Sequence, residues 1–353
     1  GIAVAGSHGK TTVTSLVSAV VADEDPTVVI GGRLRSLGTN ARLGQGELLV
    51  AEADESDGSF LLLSPMVSVV TNIDREHLDH YGTEEELKAA FLTFMNTVPF
   101  YGVTVLCKDD QRIRDLLPRV HRRSITYGIS ADADLTARDI RQSRGSSTFK
   151  AVLRGTVLGR FEVPLPGIHN VLNALAALAV GLEFNKTPED VAQRLAAFEG
   201  IGRRFEFKGS AGGVRIYDDY GHHPSEIRAT LSAARPVADG GRLLVLFQPH
   251  RYTRTRDLLT EFYTAFRDAD RVYLMDIYAA GEDPIEGIDA GLLAHGIRAT
   301  GGADVVYLRD RDALVSEVLG DMRDGDLVLT LGAGDVYRVG EELLARAREK
   351  RGS

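Results

Sequence analysis

Residues 6–12 read Gly6-Ser7-His8-Gly9-Lys10-Thr11-Thr12, and no other run says as much about chemistry. The apolar run Ile2–Ala5 before it predicts a buried strand, and Thr11 to Ala22 after it predicts a helix. A strand, a Gly-bounded turn and a Lys-Thr pair opening a helix make a phosphate cradle. Backbone N–H groups converge on the anion, and the helix dipole favours its charge. Lys10 has the reach for β/γ-phosphates, and a Thr hydroxyl beside it can ligate Mg²⁺. The full pattern wants a Gly where Val4 stands; Gly6 supplies it later, so the loop is shorter.

Four more segments set polar residues directly after apolar runs, at the strand ends where open α/β folds bind ligands. Glu52-Ala53-Asp54-Glu55-Ser56-Asp57 follows Leu48–Ala51. A carboxylate there can hold Mg²⁺ with the phosphate-loop Thr; an exposed acidic loop is the alternative. Thr71–His80 follows Val67–Val70 and gathers Asp74, His77, Asp79 and His80. With no HExxH pattern and no Cys partner, oxygen-ligated Mg²⁺ with one imidazole suits it better than zinc. Asp218-Asp219-Tyr220-Gly221-His222-His223-Pro224 follows Val214–Tyr217. Pro224 is explained by a helix start, which leaves Asp219 and His222 as candidates. Gln248–Arg256 follows Leu243–Phe247 and holds His250, Arg251, Arg254 and Arg256; guanidinium forks match carboxylate or phosphate. Arg203-Arg204 is a weaker case of the same kind.

Elements of alternating type must position these groups. Strands are predicted at Val28–Ile30 and Val103–Leu106 as well, with a helix over Glu84–Val98. Alternation of this sort argues for a mostly parallel sheet wrapped by helices. Ser147–Leu153 and Gly155–Val163, around the turn Arg154-Gly155, predict a small antiparallel sheet. An Ala-rich helix over His169–Leu182 and another from Pro188 to Phe198, capped by Thr187, complete this part. Two glycines in Gly200-Ile201-Gly202 mark a boundary, which divides the chain into a central domain of 1–202 and a C-terminal domain of 203–353. The second domain repeats the rhythm, with strands also at Val272–Met275, Val305–Leu308 and Leu327–Leu331 and helices at Ser225–Ala234 and Leu258–Phe266. The fold class is α/β.

Composition narrows the function. A net charge of −9 over 353 residues gives no nucleic-acid footprint. The single cysteine, Cys107, excludes an internal disulfide and a Cys-based zinc cluster, and fits a reducing cytosol. No run of 18 apolar residues predicts a membrane span. The chain starts on a central strand with no lead-in, so we expect the numbering to begin inside a longer protein. Oligomeric state is not written in the sequence.

GSHGKTT, EADESDGSF, TNIDREHLDHY, GIHNVLNALAA, GRRFEFKG, DDYGHHPSE, FQPHRYTRTRDL and DIYAAGEDPI together, in this order, resemble the Mur ligase family over essentially the whole chain. The motifs start after that family's uridine-diphosphate-holding N-terminal domain. The resemblance implies a phosphate-loop central domain followed by a Rossmann-like one. It implies ATP and Mg²⁺ as cofactors and UDP-N-acetylmuramate and L-alanine as substrates. By the same resemblance Gly6, Ser7, His8, Gly9, Lys10, Thr11 and Thr12 would bind ATP phosphates. Thr11 and Glu52 would hold one Mg²⁺. His77 would bind a second and help hold the sugar-linked carboxylate. His169, Asn170 and Asn173 match a helix on the adenine side; Arg204 and Asp219 match positions at phosphate and ribose. Tyr220, His222, Arg251 and Arg254 match the pocket for the muramoyl carboxylate and the incoming alanine. Many relatives carry a carbamylated Lys where Phe91 stands, so that feature is not carried over.

The chemistry explains these residue types. Phosphoryl transfer turns a carboxylate into an acyl phosphate, mainly by positioning and charge neutralisation at Lys10. An amine then attacks, and His222 is a candidate base. Three alternatives stay open: a recycling ligase joining a preformed peptide to the same sugar, a P-loop nucleotide-binding module without ligase activity, and a small-molecule kinase. Tyr220-Gly221 favours the alanine ligase over the recycling one.

Overall fold

The fold is that of a computed structural model, which describes residues 1–34, 39–129, 132–143, 145–301 and 303–352. The chain divides into two compact units, Gly1–Gly202 and Arg203–Ser353.

In the first unit the elements run β1 (Ile2–Ala5), α1 (Lys10–Val20), β2 (Thr27–Leu34), β3 (Thr39–Arg42), β4 (Leu49–Glu52), β5 (Val67–Val70), α2 (Leu78–Tyr81), α3 (Glu84–Asn96), β6 (Val103–Cys107), α4 (Gln111–Leu116), β7 (Ser124–Gly128), β8 (Leu135–Gln142), β9 (Ser147–Leu153), β10 (Thr156–Val163), α5 (Ile168–Glu183) and α6 (Pro188–Ala196). One ten-stranded sheet has the order β10-β9-β8-β7-β6-β5-β1-β4-β2-β3. β1 lies between β4 and β5, parallel to both, so the phosphate loop leaves the middle of the sheet. The expected hairpin is present, with Val163 opposite Ser147, but it is not a separate sheet. Two pairs, Tyr127 with Leu135 and Gly128 with Thr136, join it to the parallel strands. α5 is buried along most of its length. A Cβ on its Gly181 would lie 2.7 Å from Val20 and 2.8 Å from Val191, so only glycine admits this approach of α1 and α6. Thr187 and Asp190 form the capping box that starts α6.

The second unit contains β11 (Glu206–Ala211), β12 (Val214–Asp219), α7 (Pro224–Ala238), β13 (Leu243–Phe247), α8 (Tyr252–Asp257), α9 (Leu259–Tyr263), β14 (Arg271–Leu274), α10 (Ala290–Ala299), β15 (Asp304–Tyr307), α11 (Arg311–Asp321), β16 (Leu327–Leu331) and α12 (Tyr337–Gly352). Its sheet runs β11-β12-β16-β13-β14-β15, parallel except for the edge strand β11. Apolar clusters cover both faces: Leu243, Val245 and Phe247 point to one, Leu244 and Leu246 to the other. The helix expected over Leu258–Phe266 begins earlier and is broken. Leu258, at φ −116° and ψ 21°, separates α8 from α9. Among the described residues no helix is long and apolar enough to cross a membrane.

Candidate functional site

The phosphate loop leaves β1 through Gly6, whose φ of +134° suits only glycine; a Cβ there would lie 2.1 Å from Thr71 Oγ1. Gly9, at φ +83°, is the N-cap of α1. The segment after β5 clamps this loop. Ser7 N donates to Asn72 O at 3.1 Å. His8 N donates to Asn72 Oδ1 at 2.8 Å. His8 O accepts from Thr71 Oγ1 at 2.6 Å and from Asn72 Nδ2 at 2.9 Å. Asp74 N donates to Ser7 Oγ at 2.7 Å, and Asp74 Oδ2 lies 3.2 Å from His8 Nε2. The polar residues after Val70 therefore hold the cradle, a role that their sequence did not distinguish from helix capping.

Lys10 Nζ donates to Gly6 O at 2.6 Å, Ser7 O at 3.3 Å and Glu55 Oε1 at 2.8 Å. Glu55 is 1 % exposed. Burial pushes its carboxyl above the ordinary range, against the pull of Lys10. Burial alone would lower the Lys10 ammonium, but the adjoining Glu55 charge prevails and raises it. Thr11 Oγ1 donates to Glu52 Oε1 at 3.1 Å, and Gly31 N donates to Glu52 Oε2 at 2.7 Å. Thr12, next on α1, is buried. His77 stands at φ +57° with Nε2 3.7 Å from Glu55 Oε1. Ligand atoms of Glu55, Glu76 and His77 lie within 4.8 Å of one another. Glu55 Oε2 is buried with no hydrogen-bond partner among the described residues, an oxygen that a cation would satisfy. The donor set is hard oxygen plus one imidazole, which fits Mg²⁺. Glu55 and Glu76 were not singled out from sequence; the side chain of Asp79 lies outside the described residues.

Asn170 and Asn173 are buried on α5 and bonded to each other, Nδ2 of Asn173 donating to Oδ1 of Asn170 at 3.1 Å. Asn170 Nδ2 also donates to Pro166 O at 2.7 Å and lies 3.1 Å from His169 Nε2. A Cβ on Gly9 would meet Asn173 Oδ1 at 2.9 Å, so Asn173 backs the phosphate loop.

In the second unit, Arg203 is structural. Its guanidinium donates to Asp218 Oδ2 at 3.0 Å and to the carbonyls of Gly332, Ala333 and Gly334. Arg204 lies over the Tyr220 ring at 5.2 Å, with its NH1 3.9 Å from Glu226. Asp219 was expected at the nucleotide ribose, yet its carboxylate is 6 % exposed and spent within the chain. It accepts from Phe205 N and Gly221 N, both at 2.8 Å, and from Thr230 Oγ1 at 3.2 Å. Burial raises its pKa to about 6, with the Arg204 charge opposing. Asp219 thus shapes the loop that carries Tyr220 and His222. His222 Nδ1 is 3.1 Å from Tyr220 O and 3.4 Å from Glu226 Oε2, both acceptors. That assigns the ring proton to Nδ1 and the lone pair to Nε2. His223 and Glu226 form the capping box of α7.

His250, Arg251 and Arg254 follow β13. The His250 ring is 5.6 Å from His222 and stacks on Tyr278 at 5.5 Å and 10°. Burial, and then the charges of Arg254 and Arg251, lower its pKa to about 4, so it is neutral near pH 7. Arg254 NH1 lies 3.5 Å from its Nδ1. Rings of Tyr220, His222, His250 and Tyr278 thus form a continuous row across three loops; the sequence reading named His250 without a role and did not single out Tyr278.

Residues 4–181 match the Mur ligase middle domain, and residues 203–334 match the domain described as Mur ligase, glutamate ligase domain. A UDP-N-acetylmuramate–L-alanine ligase of Geobacter sp. (strain M21) is 55% identical over 350 residues, covering 99% of this chain and 76% of the relative. One from Sorangium cellulosum (strain So ce56) is 55% identical over 355 residues, with the same coverage of 99% and 76%. The crystal structure of UDP-N-acetylmuramate-alanine ligase from Thermotoga maritima matches with a TM-score of 0.83 at 26% identity, covering 99% of this chain and 75% of that one. The chain belongs to the Mur ligase family.

Proposed function

We propose that this chain is an ATP-dependent ligase that joins the muramoyl carboxylate of UDP-N-acetylmuramate to L-alanine, a cytoplasmic step of peptidoglycan precursor synthesis. The observation that carries the reading is identity of 51–55% to alanine ligases over 98–99% of the chain, which includes the Tyr220–His222 and Arg251–Arg254 loops as well as the phosphate loop.

Lys10 hands its ammonium from Glu55 to the β/γ-phosphates when ATP binds, and the loop N–H groups take the remaining charge. Thr11 and Glu52 would hold one Mg²⁺, and His77 with Glu55 and Glu76 a second; both ions would supply further neutralisation of phosphate charge. The muramoyl carboxylate oxygen attacks the γ-phosphorus, releasing ADP and leaving an acyl phosphate. Arg251 and Arg254 hold the carboxylate of alanine in guanidinium forks. His222 Nε2 takes the proton from its ammonium. The freed amine attacks the acyl carbon, the C–O bond to phosphate breaks, and phosphate leaves with the second nitrogen proton as the amide forms. Arg204 contributes a cation to the nucleotide phosphates. His169 stands on the adenine side, with Asn170 and Asn173 fixing the helix end that presents it.

Phosphate release from Mg-ATP tests this, with UDP-N-acetylmuramate and each of L-alanine, glycine, L-serine and the recycled tripeptide. Release that requires both the sugar acid and L-alanine is expected. Release that requires the sugar acid and the tripeptide, and not L-alanine, would establish the recycling ligase. A stable phosphorylated product would establish a kinase.

A further inference from the structure

The segment Asp276–Pro284 belongs to the family-like motifs, yet apart from Tyr278, whose ring stacks on His250, none of its residues has a role above. It follows β14 and lies against the turn that carries Arg251 and Arg254. Tyr278 N donates to Pro249 O at 2.8 Å, and Arg251 N donates to Tyr278 O at 2.8 Å. Between those two bonds Arg251 is held at φ 72° and ψ 139°, close to a region almost confined to glycine. Such a conformation persists only where the surroundings over-determine it.

Arg251 is also the N-cap of α8, and its side chain makes no capping bond. The N–H groups of the first turn therefore need an acceptor from elsewhere. Glu282 supplies it. Its Oε2 accepts from Thr253 N at 3.0 Å, and its Oε1 accepts from Thr253 Oγ1 at 2.6 Å. Burial would raise this carboxyl, but the Thr253 bonds, the Tyr252 N–H and the Arg251 charge together lower it. A single anion thus caps the helix and faces the strained arginine.

We propose that Glu282, with the Tyr278 backbone, is a positioning residue that fixes the Arg251 turn and so sets the affinity of the pocket for the amino-acid carboxylate. This rests on the reading of Arg251 and Arg254 given above. Glu282 acts through them and touches no reacting atom.

Steady-state kinetics on Glu282→Ala, Glu282→Gln and Thr253→Val, beside Arg254→Ala, test the proposal. Losing a capping acceptor and its charge in Glu282→Ala is expected to raise KM for L-alanine about tenfold. The kcat and the KM for ATP stay within about twofold of wild type, because no transition-state contact is lost. Glu282→Gln keeps a carbonyl acceptor for Thr253 and recovers most of the loss. Thr253→Val removes only the hydroxyl and gives a smaller rise in the same parameter, which keeps the test open should Glu282→Ala fold poorly. An unchanged KM for L-alanine in both Glu282→Ala and Thr253→Val, or equal rises for all substrates, overturns the proposal. If Arg254→Ala raises that KM while the Glu282 variants do not, only the positioning role fails. If Arg254→Ala leaves it unchanged, or the wild type shows no alanine-dependent turnover, the pocket reading fails and the proposal with it.

Discussion

Lys10 and Arg254 both follow a strand at the carboxyl end of a parallel sheet, but they are prepared differently. Lys10 is buried against a carboxylate that is itself 1 % exposed, and it is fixed by two loop carbonyls. Arg254 is half-buried on a short helix, and Arg251 before it is exposed. In the first unit the site residues bond largely to one another, Glu55 Oε2 excepted, and the binding groups are largely backbone N–H. In the second unit the scaffolding is buried, as with Asp219 and Gln248, and the side-chain tips are presented. The physical reason lies in the ligands. A phosphate cradle works through fixed dipoles, so its loop has to be rigid beforehand. A small zwitterion is gripped by charged forks, which need only a rigid base. Damage to the first site should therefore cost stability and turnover together. Damage to the second should cost affinity alone.

Lys10→Met is the sharpest attempt to break that contrast. Turnover is expected to fall about 10³-fold, the scale of losing a preorganised charge at the reacting phosphate. The variant also strands Glu55. Its folded-state pKa, already raised by burial, climbs further, so the folded state binds a proton that the unfolded chain releases. Stability should then decline as pH rises through and above the carboxylate range, as read by urea unfolding at pH 5 and pH 8. Adding Glu55→Gln restores the stability but not the turnover. If Lys10→Met leaves the fold equally stable at both pH values, the buried pair is not what organises this site.

Asp219 gives the second unit a buried charge of its own. Its carboxyl is raised from 3.8 to about 6, which makes its ionisation cost the fold roughly 3 kcal/mol. The sign follows from the raised value: stability is highest below pH 3.8 for this group and is lost as pH rises through 6. A carboxyl ¹³C titration should find the midpoint near 6, and Arg204→Ala should move it higher. A midpoint near 4 would mean that water reaches the loop, and that this part of the second unit is not rigid.

These buried carboxylates also show where sequence reading stops. The apolar runs Val67–Val70, Leu243–Phe247 and Leu327–Leu331 were legible as strands, because strands buried on both faces need nothing but hydrophobicity. The edge strand Glu206–Ala211 carries charge and glycine and gave no such pattern. Ser124–Gly128 was missed too, although it joins the hairpin to the parallel strands. The loop that carries Lys10 and Thr11 was legible because a short motif fixes its strand–turn–helix geometry. Glu55 was not, since four acids stand within residues 52–57 and only packing decides which one is buried. Glu282 contacts Thr253 across 29 residues, a separation at which local pattern carries no information.

Arg254→Ala tests the other side of the contrast. Removing one charged fork should raise KM for L-alanine about 30-fold, equivalent to roughly 2 kcal/mol. Thermal stability should stay within a degree or two, since the side chain is only half-buried on a short helix. A fall in the unfolding midpoint as large as that of Lys10→Met would show that both sites are built alike.

Thr71→Val probes the smallest part of the scheme, the clamp beneath the phosphate loop. Valine keeps the shape of threonine and removes the hydroxyl that donates to His8 O at 2.6 Å. The carbonyl keeps its bond from Asn72 Nδ2 at 2.9 Å, so it is weakened rather than orphaned. A loss of about 1 kcal/mol is expected, the net worth of one such bond. Because the loop has to be rigid to bind phosphate, the same variant should raise KM for ATP about fivefold and leave KM for L-alanine unchanged. Nucleotide binding by calorimetry and urea unfolding read the two effects separately. A stability loss with unaltered ATP affinity would mean that the cradle holds its shape without the clamp, and that rigidity in the first unit comes from the glycines and α1 alone.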